Sequence, residues 1–303
     1  MQLLKSLCEI RGSSGDESRM TEFLLSHVQT NAKNWKQQPE IHFGAGFQDC
    51  IVLVFGKPTT AIFAHIDSIG FTVGYNNELI KIGGPRLNNQ YRLVGADEFG
   101  EIDCTLHINS DGTIQAKYPR EISRGTTLTF KPDFRQTSRS VQCCYMDNRL
   151  GVYVALQVAQ NLENGIICFS TYEEHGGGSV GFLSKFITEK YKVFQALVCD
   201  ITWATSGVKT GKGVAISLRD SGIPRRSYFN RIVELAEQSG VPFQIEVESA
   251  GGSDGSEIQK SIFPIDWCFI GAPEKHVHSP DEWVNKTDIQ SMIDLYAYLM
   301  NSL

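Results

Sequence analysis

Three short apolar runs in this 303-residue chain stop on residues able to bind a metal. Ile62-Phe63-Ala64 is followed by His65. Ile166-Ile167-Cys168-Phe169-Ser170 leads through Thr171-Tyr172 to Glu173-Glu174, and Ala196-Leu197-Val198-Cys199 ends at Asp200. Runs this short, apolar at every position, read as strands buried on both faces. Stretches with helical spacing lie between and after them, at 150–162, 180–191 and 228–239. Helices alternating with buried strands predict an α/β fold, a mostly parallel mixed sheet sandwiched by helices. In open sheets of this kind ligands bind beyond the carboxyl ends of the strands.

From about residue 70 to 142 the texture changes. Helical periodicity disappears, and Gly, Asn, Asp and Pro punctuate short alternating runs. Thr105-Leu106-His107-Ile108, the turn Asn109-Ser110-Asp111-Gly112 and Thr113-Ile114-Gln115-Ala116 read as a hairpin, and 126–130 as a strand. Residues 70–142 are therefore expected to form a small inserted β-barrel-like domain, with 1–69 and 143–303 forming the main domain. At the N-terminus two helical pieces flank residues 12–17, with Ser14 or Asp16 as cap of the second. Thr287-Asp288-Ile289-Gln290 has the capping-box pattern for a last helix.

Composition narrows the function. With 41% hydrophobic and 20% charged residues, this is the composition of a globular protein. A net charge of −6, with no Lys/Arg-rich run, argues against nucleic acid or an anionic membrane as partner. No apolar run approaches the roughly 20 residues of a membrane span, and residues 1–8 read as an amphipathic helix and not as a signal peptide. The eight cysteines are scattered, with no Cys-x-x-Cys, as expected of reduced core thiols in a cytoplasmic protein.

Adjacent carboxylates directly after a buried strand repel each other and lose solvation, unless positive charge sits beside them. Bound metal ions would supply it. On extended backbone, Glu173 and Glu174 point in different directions, so one could ligate a metal while the other faces an activated water. Candidate ligands are then His65, Glu173, Glu174, Asp200, Asp147 ahead of a helix, and His278 in the loop after the apolar run 267–270. Imidazole and carboxylate suit zinc, with cobalt or manganese close behind. Each residue alone has an ordinary role, such as a helix cap for Asp147; the order His, Asp, Glu-Glu, Asp, His along one sheet edge is what points to a site.

The chain resembles the di-metal aminopeptidases that include glutamyl aminopeptidases, deblocking aminopeptidases and the TET peptidases. The likeness rests on Ser14-Gly15-Asp16-Glu17, on Ala64-His65-Ile66-Asp67-Ser68-Ile69-Gly70-Phe71 and on Met146-Asp147-Asn148-Arg149-Leu150-Gly151. It extends to Glu173-Glu174, Asp200-Ile201-Thr202 and His278-Ser279-Pro280. It implies two divalent ions, zinc foremost, held by His65, Asp147, Glu174, Asp200 and His278, with Asp147 bridging. It further implies Glu173 as general base toward a hydroxide shared by the metals, Asp67 orienting His65, and a cis peptide bond after Asp147. Peptides would be the substrates, and a homo-oligomer is open. An acyl-amino-acid or peptide deacylase of the same chemistry, or a non-catalytic metal- or peptide-binding descendant, are the alternatives. Ser68 stands where the family usually has Glu, and His175-Gly176-Gly177 where Val-Gly is usual. His276 is a second candidate beside His278, and Gly251-Gly252-Ser253-Asp254-Gly255 resembles the family's substrate-side loop.

Overall fold

The computed structural model describes residues 1–303. Two helices, α1 (Gln2–Glu9) and α2 (Ser18–Asn31), precede strands β1 (Glu40–His42), β2 (Ile51–Phe55) and β3 (Ala61–His65). Six strands follow: β4 (Gly70–Val73), β5 (Leu79–Ile82), β6 (Arg92–Asp97), β7 (Gly100–Ile108), β8 (Ile114–Lys117) and β9 (Thr127–Phe130). Short strands β10 (Arg135–Gln136) and β11 (Ser140–Gln142) lead to α3 (Met146–Ala159), β12 (Gly165–Ser170), α4 (Val180–Tyr191) and β13 (Gln195–Trp203). The chain continues through β14 (Val214–Arg219), α5 (Arg226–Ser239), β15 (Phe243–Val247), α6 (Asp254–Lys260), β16 (Asp266–Lys275), β17 (Trp283–Asn285) and α7 (Lys286–Ser302).

The strands outside 70–130 make one mixed sheet in the order β1-β2-β12-β3-β13-β16-β17-β11-β10, with β14 and β15 branching from β16. Its centre, β12-β3-β13-β16, is parallel. The flanks β1-β2-β12 and β16-β17-β11-β10 are antiparallel, so parallel pairing is confined to the middle and to β14–β15. The alternation along the central strands explains the burial. Ile62 and Ala64, Ile167 and Phe169, Leu197 and Cys199 face a core shared with α1, α2, α3 and α7. Ala61 and Phe63, Ile166 and Cys168, Ala196 and Val198 face a second core closed by α4. Each large apolar side chain removed from water there stabilises the fold by about 1.5–3 kcal/mol.

Strands β4 to β9 form the second sheet, all antiparallel, in the order β5-β4-β9-β6-β7-β8. A bridge between Glu78 and Gln115 brings the β5 and β8 ends together, so the sheet is a nearly closed barrel. All eight cysteines are free and buried, and no helix is long and apolar enough to cross a membrane.

Two local expectations are corrected. The cap of α7 is Asn285, whose side chain accepts the Thr287 N–H at 3.0 Å, and not Thr287. Neither Ser14 nor Asp16 caps α2; Ser14 Oγ instead donates to Asp67 Oδ2 at 2.6 Å.

Candidate metal centre and active-site cavity

The parallel register aligns the strand ends. Ser170 on β12 lies beside His65 on β3, and β13 places Asp200 next to the same edge. Asp147 arrives from the start of α3, which packs on β13. Asn148 holds it there: Nδ2 donates to the Cys199 carbonyl at 2.9 Å and Oδ1 accepts the Gly151 N–H at 2.8 Å. The peptide bond between Asp147 and Asn148 is cis.

Two triads converge. His65, Asp147 and Asp200 offer ligand atoms within 4.8 Å of one another, and so do Asp147, Glu174 and His278. Asp147 belongs to both, with one oxygen for each: Oδ1 lies 3.2 Å from His65 Nε2 and Oδ2 lies 3.4 Å from His278 Nε2. His65 Nε2 also lies 3.5 Å from Asp200 Oδ2, and His278 Nε2 lies 3.2 Å from Glu174 Oε2. Glu173 stands outside both triads, its Oε2 3.8 Å from His65 Nε2.

Each histidine presents Nε2 because something else faces Nδ1. His65 Nδ1 faces Asp67 Oδ1 at 3.3 Å, and His278 Nδ1 lies 3.2 Å from the Gly84 carbonyl. Asp67 is fully buried and does more than that. Its Oδ1 accepts the Glu173 N–H and its Oδ2 the Glu174 N–H, both at 3.1 Å. One carboxylate thereby fixes His65 and the Glu pair together.

The electrostatics are those of an anion-rich pit. Burial raises Glu174 to about 7, and Asp147 adds to this while His278 opposes it. Glu173 is pushed well up by burial, with Glu174 and Asp200 adding to it against His65. Burial disfavours the imidazolium of His278, yet Asp147 and Glu174 outweigh it and carry the group to about 11. His65 is raised likewise against its burial by Asp200, Asp147 and Asp67. Asp147 is held low by His278 and His65 despite its own burial. Glu174 Oε1 is buried without a hydrogen-bond partner. A carboxylate surplus with an orphaned oxygen, and two Nε2 atoms turned toward those carboxylates, fits divalent cations, and the mixed N/O donor set fits zinc, cobalt or manganese.

Several contributors carry no signal in the sequence. Glu282, fully buried, accepts the Asp147 N–H on Oε2 at 3.3 Å and the His278 N–H on Oε1 at 2.9 Å. Gly83 and Gly84 follow β5 in the barrel sheet and cover the second triad. A Cβ on Gly83 would sit 3.0 Å from the Glu174 carbonyl, and one on Gly84 3.2 Å from His278 Nδ1. His175 accepts the Gly83 N–H at 3.2 Å, and Ser68 Oγ donates to the Gly12 carbonyl at 3.1 Å, away from both triads. His276 lines a separate surface hollow with Arg86 and Asp281. Asp254 is buried with Ser170 Oγ donating to it, while Gly251 and Gly252 reach the cavity. That cavity, about 260 Å³, is lined by Asp147, Glu173, Glu174, Asp200 and His278 at the triads.

Comparison with known proteins agrees with this architecture. A family model described as M42 glutamyl aminopeptidase matches residues 108–295. A protein of Acetivibrio thermocellus described as an aminopeptidase is 23% identical, over 97% of this chain and 96% of its own. An aminopeptidase from the archaeon Desulfurococcus kamchatkensis superposes with a TM-score of 0.88 at 19% identity, over 100% of this chain and 94% of that one. The TET1 peptidase of Pyrococcus horikoshii, described as assembling into a tetrahedron or a large octahedral shell, superposes with a TM-score of 0.83 at 21% identity, over 98% of both chains.

Proposed function

The chain belongs to the M42 glutamyl aminopeptidase family, and from that premise we propose that it removes N-terminal residues from peptides at the paired triads. The observation that carries the reading is Asp147, whose two oxygens face two different histidines. In it His65, Asp147 and Asp200 would hold one divalent cation, and Asp147, Glu174 and His278 a second. Two such cations, zinc foremost, would supply Lewis acidity for the scissile carbonyl and lower the pKa of the attacking water.

The chain's own groups do the rest. Glu173, set beside the His65 triad and outside both ligand groups, takes a proton from the attacking water. As the carbon–nitrogen bond breaks, it returns that proton to the leaving amine, so the enzyme ends as it began. Asp67 holds His65 and the Glu173 backbone in register for this transfer. Glu282 and the Gly84 carbonyl fix His278 from behind. As the TET1 relative forms closed shells, a homo-oligomer is proposed for this chain too, with light scattering as its test.

The deciding experiment compares wild type, Asp147→Ala and Glu173→Gln for metal content and for trimming of a mixed peptide pool. Wild type and Glu173→Gln should retain both ions, Asp147→Ala should lose them, and only wild type should shorten peptides stepwise from free N-termini. A metal-loaded wild type that leaves free N-termini intact, or cleaves only acylated substrates, would sink the reading.

A further inference from the structure

The cavity extends beyond the triads. Past Asp200, β13 continues through Ile201, Thr202 and Trp203, and all three line it. Three carboxylates that the reaction above does not use line it as well: Asp220 just past β14, Glu246 on β15 and Glu248 just past β15. They form a group, for after burial and the Thr202 and Ser217 hydroxyls it is Asp220 and Glu248 whose charges bear on Glu246.

Asp220 and Glu246 are only 7% and 3% exposed. The Gly222 N–H donates to Asp220 Oδ1 at 2.6 Å, leaving Oδ2 free. Thr202 Oγ1 donates to Glu246 Oε1, and Thr205 Oγ1 to Glu248 Oε1 at 3.0 Å. No lysine or arginine lines the cavity with them; Arg219 turns its Nε to the Asp220 carbonyl instead. The charge of Arg219 bears on Asp220, but no Lys or Arg hydrogen-bonds the oxygens of Asp220 or Glu246, and buried carboxylates lacking such a partner are unfavourable until a cation arrives. A third metal does not fit, because ligand atoms of three or more residues converge within 4.8 Å only in the two triads.

A cation carried on a flexible apolar stem does fit. Trp203 and Phe269 offer apolar wall for methylenes, and three carboxylates offer acceptors for an ammonium or guanidinium. We propose that the enzyme selects peptides whose N-terminal residue is lysine or arginine, with Asp220, Glu246 and Glu248 receiving the cationic head. This rests on the aminopeptidase reading above. An N-terminal glutamate would instead meet three like charges.

The test measures kcat/KM for lysyl, norleucyl and glutamyl p-nitroanilides with zinc-loaded wild type, Asp220→Asn, Glu246→Gln and Glu248→Gln. Norleucine has the lysine stem without the charge. The lysyl-to-norleucyl ratio within one preparation does not depend on how much of a variant folds. In wild type the ratio should be at least about tenfold, as a charge-assisted contact gives, with glutamyl slowest, and it should collapse toward unity in the variants. Calorimetric binding of free lysine and free norleucine to wild type gives a readout without turnover. Turnover with a ratio at or below one, or a ratio that survives all three substitutions, would overturn the proposal. If no substrate is turned over, the aminopeptidase reading fails, and calorimetry judges the pocket alone. Tighter lysine then upholds the cationic subsite, and equal binding ends it.

Discussion

Asp67 touches four groups at once: His65 Nδ1, the N–H groups of Glu173 and Glu174, and the Ser14 hydroxyl. Its burial disfavours charge, yet His65 and Ser14 hold its pKa below the usual carboxylate range. An Asp67→Asn side chain keeps the volume but replaces one acceptor oxygen by a donor that must face another N–H. Metal affinity should fall by about 10–100-fold, the usual loss when a group behind a metal ligand is removed, as read by competition with a chelator. Glu173→Gln tests the opposite kind of residue. It should leave metal content unchanged while kcat falls by about 10²–10⁴, the typical contribution of a positioned base. Equal metal loss in both variants would contradict the division of labour between them.

At the scale of elements, the site depends on α3 lying flat against β13. Gly151 makes this contact possible: a Cβ there would sit 2.1 Å from the Cys199 carbonyl and 2.2 Å from Asn148 Oδ1. Gly151→Ala should lower stability by about 1–3 kcal/mol, as overpacking does, with a lower Tm. It should also weaken metal binding, because α3 carries Asp147 away from Asp200. A variant with unchanged Tm and metal content would remove this account. The same elements indicate what a sequence can disclose. Strands β3, β12 and β13 are legible because each is a local apolar run, and His65 and Asp200 are legible because they end such runs. The barrel strands are legible through turn chemistry, as at Asn109 to Gly112. Glu282, Gly83 and Gly84 are not, since their roles come from segments that meet only in the folded chain. Glu246 is the plainest case: the alternating run Phe243–Val247 suits a half-exposed strand, and only the fold turns this carboxylate into a cavity wall. The Thr287 pattern misled because Asn285, ending β17, reaches the helix N–H groups first.

For the whole molecule, the metals, the protons and the stability of the fold are one linked system. Without metal, His278 titrates at about 11 and His65 is also raised, so both are protonated at neutral pH and pair with Asp147. Binding a cation at Nε2 requires that proton to leave. Metal uptake by the stripped protein should therefore release protons at pH 7, which calorimetry in buffers of different ionisation enthalpy detects. The sign for the stripped fold runs the other way. A histidine raised from about 6.5 when unfolded adds stability that is fully present below that pH and is lost only as pH climbs through its folded value. Asp147, held low, adds stability present above the unfolded carboxylate range near 4 and lost in acid. The stripped protein thus keeps its imidazolium–carboxylate pairs between pH 5 and 8, while the competing metal gains affinity as pH rises. A ligand that binds only the folded state stabilises it by RT ln(1 + [L]/Kd). The Tm difference between zinc-saturated and chelator-stripped protein should then widen from pH 5 to pH 8. A difference independent of pH would mean that His65 and His278 surrender no proton on binding, and that these triads are not where the metal sits.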